Sequence, residues 1–317
     1  MAQIVGKLAV IGQGLIGSSI TRAAVERGIS REIAVTDASD RVRRRVRELG
    51  LGEARVVETA AEAVTDADLV VICVPVGQIA EVARQVAPAM KSGAILSDVG
   101  SVKASVVNAI VPHLPDHVAL VPAHPLAGTE FSGPEAGLPS LFINRWCILT
   151  PPEGTDAGAV AKATQFWEAL GSKAEIMTPE HHDYVLSITS HLPHVAAYSI
   201  FHTALRFERE TNSDVVKFSA GSFRDFTRIA SSNPAMWRDI FLGNKDQVLE
   251  ILRRFQGDLE AFAEAIANED GDKLVELLST SRLTRRKVIE KEHISLQPKP
   301  DSMKSDRALA RPYSSDF

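Results

Sequence analysis

Cysteine is scarce in this 317-residue chain. Only Cys73 and Cys147 occur, each inside an apolar run. Two such thiols read as reduced core residues of a cytoplasmic protein, not as a disulfide framework or a metal site. A basic excess is also missing: 35 Lys and Arg stand against 40 Asp and Glu, for a net charge of −5. Nucleic-acid binders carry a basic face, and this balance argues against that class of partner. No apolar run approaches the roughly 20 residues of a membrane span, which argues against a membrane protein. The opening MAQIVGKLAVIG lacks the basic segment of a signal peptide and runs straight into a strand pattern. What remains is an ordinary globular composition, 45% hydrophobic and 24% charged, with length for about two domains.

The first half alternates strands and helices. An apolar strand from Leu8 to Ile11 leads into Gly12-x-Gly14-x-x-Gly17, followed by a helical pattern from Leu15 to Arg27 that stops at Gly28. A second strand ends in Asp37, 20 residues after Gly17. A lone GxGxxG says little, but this context matches a dinucleotide fingerprint. Gly12 makes the tight turn, and Gly14 lets backbone N–H groups approach a pyrophosphate. Gly17 seats the helix, whose first residues Leu15 and Ile16 begin the anion-favouring terminus. Asp37 is placed for the ribose 2′-hydroxyl, and its charge would repel a 2′-phosphate. NAD is therefore favoured over NADP, despite Arg41 and Arg43 nearby. Further strands follow at ADLVVICVP, AILSDVGSVK and VALVPAHP. The expected fold is α/β: a Rossmann-type doubly wound sheet over residues 1–177. Ligands in such sheets lie at the carboxyl ends of strands. Three loops then face the cofactor: Val74-Pro75-Val76, Asp98–Lys103, and the stretch at His124. His124 sits just past a strand end, either as a surface or capping histidine or facing the nicotinamide. Ser101 and Lys103 by themselves read more readily as a helix N-cap and a solvated first-turn lysine.

From Thr178 the pattern turns helical. TPEHHDYVLSITSHLPHVAAYSIFHTALRFE reads as one long helix capped at Thr178 and kinked by Pro193. Its histidines lack metal-site spacing, so no metal is expected. His191 and His194 are three apart and share a helical face; one facing a pocket and the other buried and hydrogen-bonded is the better reading. Farther on, Arg224 and Arg228 lie four apart, with Asp225 on another flank. Arg228, flanked by apolar residues, is the one expected to be partly buried and to want an anion. Arg224 reads equally as part of an exposed ion-paired helix. Amphipathic helices to about Lys291 should form an all-α bundle, residues 178–292, packed against a second subunit. Residues 293–317, rich in Pro and Ser, read as disordered.

GLIGSSI, DVGSVK, HPLAGTEFSG, LTPP, HDYVLSITSHLPHVAAYSI and SFRDFTRIASSNPAMWRDIFLGN occur in this order. Together they closely resemble the prephenate/arogenate (cyclohexadienyl) dehydrogenase family of tyrosine biosynthesis, over about residues 5–290. The resemblance implies NAD-dependent oxidative decarboxylation of prephenate to 4-hydroxyphenylpyruvate, of arogenate to tyrosine, or of both. It matches His124 to the family's catalytic histidine, which accepts a hydrogen bond or proton from the ring C4 hydroxyl. Ser101 matches a serine bonding that hydroxyl and the nicotinamide region. His194 and Arg228 match substrate-binding residues. Thr129 and Glu130 match the pocket entrance, where Glu130 would pair with Arg228 when the site is empty. Trp237 matches a tryptophan reaching in from the partner of a homodimer. Gly221, Arg224 and Asp225 fall in the same substrate-binding block, and Arg224 stands where some relatives have lysine. Gly12, Gly14, Leu15, Ile16, Gly17, Asp37, Val74, Pro75 and Ser101 are the expected cofactor contacts.

A chain of this extent is expected to be monofunctional, without a regulatory ACT domain or a chorismate mutase segment. Tyrosine would then inhibit at the active site itself, in competition with substrate. Two rivals stand beside this reading. One is another NAD enzyme, such as a 3-hydroxyacid dehydrogenase or pyrroline carboxylate reductase, but those lack the HPxAGTE and FTR blocks. The other is a non-catalytic NAD-sensing protein.

Overall fold

The computed structural model describes residues 3–129 and 131–296. It divides into two compact units, residues 1–252 and 253–317. Glu130 and residues 297–317 lie outside the described residues, so the expectations for Glu130 and for most of the tail fall there.

The first unit begins with a parallel alternation. Strands β1 (Val5–Ile11), β2 (Ser30–Thr36), β3 (Arg55–Val56), β4 (Leu69–Ile72), β5 (Ile95–Asp98) and β6 (Ala119–Leu120) form one sheet in the order β3-β2-β1-β4-β5-β6. Every pairing is parallel. Helices α1 (Leu15–Arg27), α2 (Asp40–Leu49), α3 (Ala60–Val64), α4 (Val76–Val86) and α5 (Ala104–Ile110) connect them. The strands are apolar at nearly every position because both faces are covered. Leu8, Val10, Val35 and Val71 pack with Ile20 and Ala24 of α1. Ala9, Ile11, Val70 and Ile72 pack with Ile79 of α4 and Val106 of α5.

A second sheet starts where one continuous strand was expected. VALVPAHP divides into β6 and β7 (Ala123–Pro125), which pairs antiparallel with β8 (Trp146–Leu149), and β8 pairs parallel with β9 (Lys173–Ile176). Pro122 separates the two strands and has no N–H to extend the parallel ladder. Its carbonyl instead receives the Thr150 N–H. His124 therefore lies within a strand, opposite Ile148, and not in a loop beyond a strand end. Helix α6 (Ala157–Ala169) joins β8 to β9 and packs Phe166 and Trp167 into the same core as α1.

The helical half opens with α7 (Pro179–Leu186), capped by Thr178 Oγ1 as expected. The expected single long helix is interrupted. A π-helical turn, Ser187–His191, precedes α8 (Leu192–Thr211), and the Leu192 N–H donates to the Ser187 carbonyl. The wide turn sits just before Pro193, where a helix must give up an N–H anyway. Next come α9 (Gly221–Thr227) and α10 (Pro234–Gly243), the latter capped by Asn233, and α11 (Lys245–Ala267) begins before the unit ends. The second unit contains the rest of α11 and α12 (Gly271–Leu296). No helix among the described residues is long and apolar enough to cross a membrane.

The fingerprint glycines differ in what they tolerate. Gly12 has φ +93° and lies against the Cys73 carbonyl. A Cβ on Gly17 would sit 1.9 Å from the Gly12 oxygen, whereas one on Gly14 would meet nothing within 4 Å. Urea denaturation should therefore separate two substitutions. Gly17→Ala is expected to lose roughly 1–3 kcal/mol by forcing α1 off the sheet, and Gly14→Ala less than about 1 kcal/mol. Equal midpoints for the two variants would contradict the packing described.

Candidate active site

The dinucleotide end is built from β1, α1 and β2. The N–H groups of Leu15, Ile16 and Gly17 head α1, where a helix leaves donors without intrahelical partners. Gly14 caps that end with open space on its Cα. Asp37 follows β2, and its carboxylate accepts the Gln13 and Ser39 N–H groups at 2.8 and 2.9 Å. This holds the carboxylate at the carboxyl end of the sheet beside the glycine turn. Arg43 is occupied elsewhere, donating to the Asp37 carbonyl at 2.7 Å and to Glu58 at 3.1 Å. Val74 and Pro75 close β4 and cap α4. A nucleotide pyrophosphate and ribose fit this donor and acceptor set.

A cluster of histidines occupies the other end. His124, on β7, is buried, and its Nδ1 lies 2.8 Å from His182 Nε2. His182 Nδ1 in turn lies 2.8 Å from Asp183 Oδ1. His182 and Asp183 are both buried on α7. Asp183 also accepts the Lys103 and Ala104 N–H groups at 2.8 and 2.9 Å. A carboxylate from α7 thus caps α5 from outside. This corrects the capping reading of DVGSVK: Ser101 is not the cap, and Lys103 is not solvated. Lys103 is 0% exposed; its Nζ donates to Asp98 at 2.5 Å and to the Ala123 carbonyl at 2.8 Å. The lysine is buried because two acceptors converge there from β5 and β7, and a paired ammonium can be housed where a free one cannot.

The π-turn and α8 supply the next wall. Asn244 donates to the Asp183 carbonyl at 2.8 Å and to His191 Nδ1 at 3.2 Å. His194 Nδ1 donates to the Ser190 carbonyl at 2.9 Å, and its ring stacks on Trp237 at 3.6 Å. Trp237 also meets His191 edge-on at 6.1 Å. Trp237 thus lies on histidines of its own chain. It is buried with Ile240, also of α10, in the core on the α4 and α5 side of the sheet.

Burial pushes His124 well below its ordinary range, aided by His182, Lys103 and His191. His182 is lowered by burial, against the pull of Asp183. Burial takes His191 to about 4. His194 is lowered by burial, with Arg228 adding to the effect. These rings are therefore neutral at pH 7, and His124 can accept a proton there.

The structure brings together His124, Ser101, His191, His194 and Trp237. Ser101, half-buried, heads the loop into α5, and its backbone meets His191. Arg228 stands close enough to lower His194, but it is exposed, contrary to the expected partial burial. Helix α9 ends at Thr227, so the buried residue is Thr227 and Arg228 opens a 3₁₀ turn. The expected shared helical face of Arg224 and Arg228 is broken there. Thr129 is exposed and accepts the Phe131 N–H in a local turn. Gly221, Arg224 and Asp225 are exposed, and among the described residues no hydrogen bond or ion pair ties them to the histidines. Sequence reasoning missed His182 and Asp183 as parts of the site, and it placed Asp98 and Lys103 only in a loop facing the cofactor, not as a buried pair. The signal for the first two was HHD seven residues upstream of SHLPH, and nothing in it said which histidine turned inward.

Comparison with known proteins agrees with this architecture. Residues 20–176 match the family profile described as prephenate dehydrogenase, nucleotide-binding domain, and residues 178–280 match its dimerization domain. The cyclohexadienyl dehydrogenase of Zymomonas mobilis is 44% identical over 88% of this chain and 94% of its own length. The prephenate dehydrogenase of Bacillus subtilis is 34% identical over 89% of this chain and 76% of its own. Among solved structures, prephenate dehydrogenase from A. aeolicus, in complex with hydroxyphenyl propionate and NAD+, superposes with a TM-score of 0.82 at 32% identity. That match covers 89% of this chain and 98% of that one. With the glycine turn, the buried histidine cluster and both profiles in order along one chain, this protein belongs to the prephenate dehydrogenase family of oxidoreductases.

Proposed function

We propose that this chain oxidises and decarboxylates prephenate and arogenate alike, using NAD, and works as a homodimer. The observation that carries the reading is His124: a buried, neutral imidazole whose Nδ1 is engaged from behind, leaving Nε2 for a substrate hydroxyl. The names of the Zymomonas and Bacillus relatives support the substrate class, and the NAD+ complex of the A. aeolicus protein supports the cofactor. NAD over NADP rests on Asp37 and on the engagement of Arg43 by Glu58. The homodimer reading rests on the dimerization-domain match and on exposed Leu259, Ile266, Val275, Leu278 and Leu283 in the second unit.

NAD, when bound, supplies the acceptor for the electron pair that leaves C4. The chain's residues do the rest. The Leu15, Ile16 and Gly17 N–H groups hold the pyrophosphate, Asp37 the ribose, and Val74, Pro75 and Ser101 line the nicotinamide end. His124 Nε2 accepts the C4 hydroxyl proton, and Ser101 orients that hydroxyl. The substrate carries two carboxylates, which Arg228 meets with positive charge and His194 meets once its ring takes up a second proton; Trp237 keeps the His194 ring in place. Thr129 and Glu130 remain candidates for the pocket entrance, and Gly221, Arg224 and Asp225 for substrate binding. Tyrosine resembles the product and would compete for the same pocket.

Three measurements test this reading. In the first, reduced cofactor is followed as prephenate or arogenate is added with NAD, then with NADP. Reduction by both substrates, faster with NAD, is expected. Tight NAD binding without turnover on either substrate would make the protein a non-catalytic NAD binder. In the second, His124→Asn should lower kcat by about 10²-fold or more with little change in KM; near-normal kcat would remove His124 from the chemistry.

The third follows from a tautomer. His194 spends its Nδ1 proton on Ser190, so its Nε2 must gain a second proton before it can donate to a carboxylate. Its lowered pKa makes that proton harder to hold as pH rises. KM for prephenate should therefore rise from about pH 6 to pH 8, and His194→Asn should flatten the trend. A KM independent of pH in the unaltered enzyme would mean that His194 does not bind the carboxylate.

A further inference from the structure

The row His124–His182–Asp183 fixes where each ring proton sits. The Asp183 carboxylate already accepts two backbone N–H groups, so the His182 nitrogen facing it, Nδ1, must be the donor. A neutral imidazole has one N–H, which makes His182 Nε2 a bare lone pair. His124 Nδ1, 2.8 Å away, must then donate to it. His124 is left with its lone pair on Nε2, the nitrogen that the described residues leave without a hydrogen bond. An acceptor-only carboxylate thus dictates, two rings away, which nitrogen can act as the base.

The same row can carry charge. The groups facing it are Lys103, Asp98 and Asp183, with His191 neutral beside them. Lys103 and Asp98 form a close buried pair, so the remaining formal charge is the negative one on Asp183. One added proton would balance it.

We propose that His182 and Asp183 are positioning residues for the oxidation. They hold His124 in its Nδ1–H tautomer, and they receive the proton that the reaction releases. As the C4 hydroxyl gives its proton to His124 Nε2, the O–H electron pair stays on oxygen, and the C4–H pair leaves to the NAD oxidant. The His124 Nδ1–H bond then breaks, and an N–H bond forms at His182 Nε2. His124 ends neutral in the opposite tautomer, and His182 ends as an imidazolium paired with the Asp183 carboxylate. The proton returns along the same row before it leaves to solvent. This inference rests on His124 being the base in the proposed reaction.

The test uses the full chain with NAD and prephenate. Ring-nitrogen NMR of the unaltered enzyme near pH 7 should find His124 protonated at Nδ1 and bare at Nε2; the opposite tautomer overturns the proposal. His182→Gln offers a carbonyl that can accept the His124 Nδ1–H but cannot take up a proton. Its kcat should fall about tenfold to hundredfold, with KM for prephenate within about twofold. Solvent-isotope dependence of kcat/KM in H2O–D2O mixtures should be curved for the unaltered enzyme, with two protons in flight, and linear for His182→Gln. Asp183→Asn should also lower kcat and move the acid limb of the kcat profile to lower pH, because the pair loses its counter-charge. If removal of the α5 cap unfolds Asp183→Asn, the NMR and His182→Gln results decide. Full kcat and an unchanged isotope pattern in His182→Gln, with His124→Asn inactive, would overturn the relay and leave the base intact. An active His124→Asn would overturn the underlying reading instead.

Discussion

One buried carboxylate ties the active-site half of the molecule together. Asp183 accepts the first N–H groups of α5 and the His182 ring, while its own backbone carbonyl accepts from Asn244. An ionised carboxylate in an apolar interior is tolerated only where donors surround it. Here the donors are two N–H groups at the start of α5 and the neighbouring His182 ring. With Asn244 on the same residue's backbone carbonyl, the start of α5, the face of α7 and the turn between α10 and α11 meet at one residue.

Lys103 adds a second tie. Its N–H faces Asp183, while its ammonium reaches past to Asp98 on β5 and to the carbonyl next to His124 on β7. The second sheet is thereby pinned against the first beside His124. Both buried charges are satisfied by geometry that exists only when the two sheets and α7 have come together. The same low-dielectric setting keeps the neighbouring imidazoles neutral.

Two irregularities make room for the site. Pro122 ends the parallel ladder and sends the chain into a new strand, which turns His124 inward at a sheet edge rather than out into a loop. The π-turn before Pro193 carries His191 towards Asn244 and His194 onto Trp237. Wide turns of this kind often mark functional positions in helices. In this chain the turn sets two histidines, three apart in sequence, against different partners around one tryptophan.

The sequence by itself determined the nucleotide half. Glycine spacing, an acid 20 residues later and continuous apolar strands are local signals, because a glycine turn and a doubly covered strand impose their residue types directly. The cap at Thr178 and the stop at Gly28 were legible for the same reason. His124, Ser101, His194 and Arg228 could be singled out by motif, but not their surroundings. Only the tertiary structure decided that Lys103 is buried, that Asp183 caps a helix about 80 residues earlier in the chain, that Arg228 is exposed and that Trp237 stacks within its own chain. Each of those outcomes depends on partners distant in sequence. A charged side chain's fate is set by whether a complementary group arrives beside it, and no local pattern records that arrival.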